Sequence, residues 1–157
     1  MKPNQILSVR HAKSEDINAI VRLLSDDPLG AKREKFESPL PTRYLDAFRS
    51  IDNDPNNDLI VTTFAEKIVG CMQITYIPYL TYQGGWRALI EGVRVDRTYR
   101  NQGIGKRMFE WAIESASAKG CHLVQLTTDK KRPDALKFYE SLGFQATHEG
   151  MKLHLRD

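Results

Sequence analysis

The sequence predicts a mixed α/β fold, an α+β arrangement with about seven strands in a central sheet and about four flanking helices, spanning residues 1–157 as one domain. Three observations predict it. Strand-like and helix-like segments follow one another in mixed order rather than in separate runs. The 157 residues are 41% hydrophobic, which suits one self-sufficient core. No internal repeat, low-complexity tract or linker interrupts the chain.

The elements read in order. Gln5–His11 is a short strand with apolar Ile6, Leu7 and Val9. Ser14, an N-cap residue type, opens a helix with Ile17, Ile20, Val21 and Leu24 at helical spacing. Asp26-Asp27-Pro28 ends it, because the residue before proline is driven out of the helical region. Residues 28–40 read as irregular, and a second helix runs from Pro41 or Thr42 to Ile51 with Tyr44, Leu45 and Phe48 on one face. Leu59–Phe64 and Ile68–Ile77 form a hairpin around Ala65-Glu66-Lys67. Pro78–Gly85 is a loop and Trp86–Val95 a long strand. Gly103–Lys119 is the clearest helix, with Ile104, Met108, Ala112 and Ala116 on one face and Gly120 as its stop. His122–Thr127 is a strand, and a helix opens at Arg132 or Pro133 and ends at Leu142-Gly143. Phe144–Thr147 and Met151–Leu155 read as two short strands around Glu149-Gly150.

Composition excludes several classes. Charged residues make up 27%, an ordinary globular share, which argues against disorder. No apolar run reaches membrane-spanning or signal-peptide length, and Cys71 and Cys121 cannot build a disulfide framework, so the expectation is a cytoplasmic protein without a membrane partner. His11, His122, His148 and His154 show no ligand spacing with the cysteines, so no metal is expected. Residues 1–85 carry a net charge of −1 and residues 86–157 a net of +4. A basic second half suits an anionic ligand. Its cations gather at one helix start rather than along a stripe with interleaved aromatics, which argues against nucleic acid.

That helix start is the most informative stretch. A buried strand ends at Val95, and Gly103 and Gly105 then open the strongest helix, with Arg100, Lys106 and Arg107 around it. Glycines let backbone approach a ligand, while the unpaired N–H groups and dipole of the first turn favour an anion. The expected ligand is phosphate or pyrophosphate. A P-loop fails because Lys106 is followed by Arg107, and a dinucleotide fingerprint fails because Met108 stands where the third glycine belongs.

Arg100-Asn101-Gln102-Gly103-Ile104-Gly105 resembles the (Q/R)xxGx(G/A) motif of the GCN5-related N-acetyltransferase superfamily. Val93-Arg94-Val95-Asp96 upstream matches its apolar strand end, and Ala135-Leu136-Lys137-Phe138-Tyr139 through Gly143-Phe144 matches its A-x-x-F-Y-x-x-x-G-F helix. The resemblance is firm over residues 86–147. It implies a mostly antiparallel sheet splayed at the CoA site, and transfer of an acetyl group from acetyl-CoA to a primary amine within a ternary complex. It further implies that Arg100, Asn101, Gln102, Gly103, Ile104, Gly105 and Lys106 hold the pyrophosphate. Val93, Arg94 and Val95 line the pantetheine arm, with the N–H of Val93 on the thioester carbonyl. Tyr139 becomes the proton donor to the departing thiolate.

Glu91, two residues before Val93 on the same strand face, is the candidate general base. Its strand position suggests partial desolvation. Some relatives carry Glu at this spacing; the histone-type enzymes place theirs where this chain has Leu89. Many relatives have Asn where this chain has Arg132, and Arg132 is the candidate for an extra phosphate contact. The acceptor region, residues 25–45 and 76–86, mixes acids, bases and aromatics and names no amine. The expected partner is a small-molecule amine, a homodimer being allowed. The competing reading is a CoA-binding sensor or regulatory module without turnover.

Overall fold

A computed structural model describes residues 6–156. The chain divides into two compact units, Met1–Gln125 and Leu126–Asp157. Residue 5 of the expected first strand lies outside the described residues; β1 runs Leu7–His11.

The first unit is built on one sheet in the order β1-β2-β3-β4-β5. β2 (Asn57–Phe64), β3 (Lys67–Pro78) and β4 (Trp86–Val95) form an antiparallel meander, β1 pairs antiparallel with β2, and β5 is Cys121–Leu126. Seven strands were expected and five form among the described residues. β2 begins at Asn57, and its turn at Ala65 and Glu66 is left-handed, with φ of 50° and 64°.

Among the described residues six helices form where four were expected. α1 spans Ile17–Ser25, behind a 3-10 turn at Ser14–Asp16 whose cap is Lys13, not Ser14. Arg10 Nη1 donates to Asp16 at 2.7 Å and the Lys13 N–H to the same carboxylate at 2.7 Å, which fixes that turn. α2, Pro28–Arg33, occupies the stretch read as irregular: Asp27 caps it by accepting from the Gly30 N–H, and Pro28 is pre-set for a first helical turn. α3 spans Thr42–Asp52. α4, Thr81–Gly84, is a four-residue turn with left-handed Tyr82 and Gln83. α5 spans Ile104–Ala118, with Ile104, Met108, Phe109, Ala112 and Ala116 buried.

α1 and α3 cover one sheet face, where Ile17, Ile20, Val21, Leu23 and Phe48 pack on Val61 and Cys71. Each such side chain contributes about 1.5–3 kcal/mol by burial, far more than exposed pairs such as Arg49–Asp46. α5 covers the other face. There Tyr76 donates to Asp58 at 2.7 Å and meets Ser115 at 2.7 Å, while His11 holds Asp58 at 3.0 Å and sets its ring edge on Trp111. Burial pushes the Cys71 thiol up to about 12, so it is inert packing. Cys121 is only half-buried. No helix among the described residues is long and apolar enough to cross a membrane.

The second unit carries α6, Pro133–Ser141, with Pro133 in its first turn and Gly143 left-handed (φ 96°) beyond its end. Tyr139 is half-buried and packs against Phe138 and Phe144, ring centroids 5.5 and 6.2 Å away. The two strands expected at 144–147 and 151–155 do not form. Met151, Leu153 and Leu155 alternate as a strand should, yet are 94%, 86% and 88% exposed. Alternation alone makes no strand, since a lone two-stranded hairpin is marginal in water.

Candidate functional site

Gly92 bends β4 where the site begins. Gln73 pairs with Glu91 and Cys71 with Arg94, so one β3 residue opposes two on β4, Gly92 and Val93. Gly92 takes φ 63°, which glycine adopts without the strain other residues meet. This bulge puts Val93 out of register just before the strand end. An isolated glycine inside a strand is the signal that could have revealed it.

Beyond Val95 the chain is tied down by Asp96, which is 6% exposed. Its carboxylate accepts from the Thr98 N–H at 2.9 Å and from Arg22 of α1 at 3.2 Å. Arg97 adds a bond to Asp26 at 3.0 Å. Burial opposes the charge on Asp96, but the Thr98 N–H and Arg22 outweigh it and hold its pKa below the usual value. The Asp16 carboxyl is lowered too, chiefly by Arg10. Replacing Asp96 by Ala removes a turn cap and leaves Arg22 unpaired, an expected loss of about 1–2 kcal/mol. Both acids have folded pKa values below their unfolded value of about 3.9, so their contribution is complete above that pH and is lost as pH falls through the folded values. The stability gap between wild type and D96A, read by urea unfolding, should therefore be constant from about pH 5 to 8 and shrink below about pH 4.

The cradle follows. Arg100 Nε donates to the Val95 carbonyl at 3.2 Å, and Gln102 to the Thr98 carbonyl at 3.5 Å. Asn101 and Gly103 are left-handed, with φ 60° and 80°. The first α5 bond runs from the Arg107 N–H to the Gly103 carbonyl at 3.1 Å, so the N–H groups of Ile104, Gly105 and Lys106 precede the ladder. Asn101, Gln102, Gly103 and Lys106 are exposed, and no atom lies within 4 Å of a Cβ placed on Gly103. Open backbone donors, a helix N-terminus and flanking cations are the donor set a pyrophosphate needs.

The other predicted residues fall as follows. Arg94 turns to the α1–α2 side: its side chain, 11% exposed, lies 3.6 Å from Asp27 and donates to the Val93 carbonyl at 2.8 Å. It thus fastens the α2 cap to the bulge, a role legible only once Asp27 is in place. Glu91 is exposed rather than partly desolvated. Cross-strand pairing puts Glu91, Leu89 and Arg87 on one face with Gln73, Thr75 and Ile77. Gln73 and Thr75 are half-buried although β3 is a central strand, and both donate to Asn57, at 3.1 and 2.7 Å. That face is polar and open beyond α1 and α3. Tyr139 and Arg132 belong to the second unit, where the Arg132 N–H bonds Asp129 and its carbonyl accepts from Ala135. His11 is engaged by Asp58 on the α5 face, opposite Glu91. Among the described residues no group of three or more His, Cys, Asp or Glu could hold a metal ion.

The profile of the Acetyltransferase (GNAT) family matches residues 18–144. The aminoalkylphosphonate N-acetyltransferase of Salmonella typhimurium is 26% identical over 91% of this chain and 88% of its own. The glucosamine 6-phosphate N-acetyltransferase of Trypanosoma brucei brucei is 38% identical over 57% of this chain and 58% of its own. Among solved structures, a transcriptional regulator from Bacillus halodurans C-125 is 56% identical, with a TM-score of 0.93 over 96% of this chain and all of that one.

Proposed function

The chain belongs to the acetyltransferase (GNAT) family, and from that premise we propose that it moves an acetyl group from acetyl-CoA to the primary amine of a small acceptor by direct attack in a ternary complex. The observation that carries the reading is the junction of the bulged β4 end with the open first turn of α5. Relatives named for acetylating an aminoalkylphosphonate and an amino sugar phosphate support a small amine.

The roles follow from chemistry. The cradle from Arg100 to Lys106 neutralises and orients the pyrophosphate, with Arg132 as a further cation. The edge of Val93–Val95 pairs with the amide-rich pantetheine arm, which needs only main-chain groups. The Val93 N–H stabilises negative charge on the thioester oxygen as the C–N bond forms. Glu91 accepts the amine proton directly or through water. Tyr139 gives its proton to the sulfur as the C–S bond breaks.

The test is release of free thiol from acetyl-CoA across a panel of amines, with pH as a second axis. Glu91→Gln keeps shape but cannot take a proton. It should bind acetyl-CoA normally, turn over slowly near neutral pH, and recover toward about pH 10, where an alkyl amine loses its proton in water. Identical kcat/KM profiles for the two proteins would remove Glu91 from the mechanism. A second reading, a CoA-binding regulatory module without turnover, is favoured by the name of the Bacillus halodurans protein. Acetyl-CoA binding without thiol release from any amine would decide for it.

A further inference from the structure

The open face of β3 and β4 carries a cation that this chemistry does not use. Arg87 pairs across from Ile77 and lies on the same face as Glu91. Four residue steps along the strand separate their Cα atoms by about 13 Å. The Arg87 guanidinium rests against two rings, 4.5 Å from the centroid of Tyr79 and 5.2 Å from that of Tyr82. Tyr82 in turn stacks on His122 at 4.8 Å. Backbone holds this stack in place. Tyr82 and Gln83 are left-handed, and a Cβ on Gly85 would come within 2.5 Å of the His122 ring.

The guanidinium lies over both rings, contacts that use no hydrogen-bond acceptor, while its five N–H donors lie along its edge. Among the described residues that edge makes one hydrogen bond, a long one from Nη2 to Thr81 Oγ1 at 3.5 Å. Arg87 Nε is buried and has no partner. The acids on this side are placed elsewhere: Asp27 serves Arg94, and Glu91 lies at the far end of the face. The buried Nε is out of a ligand's reach, so the Nη1 and Nη2 end, whose one hydrogen bond among the described residues is the long one to Thr81, is the part suited to bidentate capture of an oxyanion.

We propose that Arg87 anchors an oxyanion on the acceptor, so that the substrate class is an amine bearing a carboxylate or phosphoryl group several bonds from its nitrogen. This rests on the acetyltransferase reading above. A negative end at Arg87 and an ammonium end at Glu91 orient such a molecule one way along the face. A plain alkyl amine meets only the Glu91 end. An α-amino acid, with one carbon between its charges, cannot span the two.

The experiment compares matched acceptors, 6-aminohexanoate against hexylamine and glucosamine 6-phosphate against glucosamine, in wild type, R87Q and R87K. Wild type should favour the anionic member of at least one pair by about tenfold or more in kcat/KM, the worth of one charge-assisted hydrogen bond. R87Q should cut that preference to within about threefold, and R87K should keep part of it. A role in packing alone would lower both members of a pair together. No preference in wild type, or an undiminished one in folded R87Q, overturns the proposal. A second arm needs no turnover. With CoA present, methylphosphonate should move the Tyr79 and Tyr82 ring signals saturably in NMR spectra of wild type and not of R87Q. Equal shifts in both, or none in either, overturn it. Failure of acetyl-CoA binding and of thiol release with every amine would instead sink the acetyltransferase reading, and the NMR arm separates the two failures.

Discussion

Gly105→Glu should weaken binding of acetyl-CoA by about 100-fold or more while leaving the protein folded. Gly105 lies in the first turn of α5, next to exposed Lys106 and one residue after buried Ile104. A glutamate there puts bulk and a negative charge where the N–H groups and helix dipole would meet pyrophosphate. The same charge is favourable for the helix itself, by about 0.3–1 kcal/mol at an N-terminus. Affinity and stability should therefore move in opposite directions, which separates loss of the site from loss of the fold. Calorimetry reads the first: a fall of about 100-fold or more is expected, since one repelled charge and several lost hydrogen bonds together exceed about 3 kcal/mol. Thermal unfolding reads the second. Wild type at 100 times Kd should gain roughly 2.7 kcal/mol from ligand and the variant far less. Gly103→Val probes the same cradle by another route. Space is open around a Cβ there, but φ is 80°, so its cost is backbone strain of about 1–3 kcal/mol. Unchanged affinity in folded Gly105→Glu would overturn the cradle assignment.

Tyr139→Phe carries the second largest effect. The phenylalanine ring keeps the contacts with Phe138 and Phe144. The Phe144 N–H bonds the backbone carbonyl of residue 139, which the substitution does not touch. Only the hydroxyl is lost. If Tyr139 protonates the thiolate, kcat should fall about 10- to 1,000-fold, with the affinity for acetyl-CoA unchanged. A phenol of pKa about 10 is a competent donor to a thiolate of somewhat lower basicity. Wild-type kcat together with a lowered melting temperature would show that Tyr139 serves packing alone.

The local elements were legible because their signals are local. Ile104, Met108, Ala112 and Ala116 at helical spacing, with Gly103 before and Gly120 after, define α5 whatever the rest of the chain does. The β2–β3 hairpin and the extent of β4 were legible from β-branched runs and one short turn, while the pairing of β4 with β3 came only with the tertiary structure. α2 was missed because Pro28 and Gly30 read as breakers. Proline belongs in a first helical turn, and Asp27 caps the Gly30 N–H. The last two strands were over-read because Met151, Leu153 and Leu155 alternate, and a strand also needs a neighbour to pair with.

The candidate site divides in the same way. The sequence by itself marked out the candidate cradle, because its glycines, its cations and the helix behind them are consecutive in the chain. It also pointed to Glu91 beside the strand end. Only the tertiary structure decided which side chains are spoken for. Arg94 serves Asp27 and Arg22 reaches Asp96 across 74 positions of chain. Glu91 stands exposed on a polar face, and Arg87 lies over two tyrosine rings with its Nε buried and unpartnered. A charged residue's role is set by what lies within a few ångströms of it, and in a folded sheet those neighbours come from distant parts of the chain.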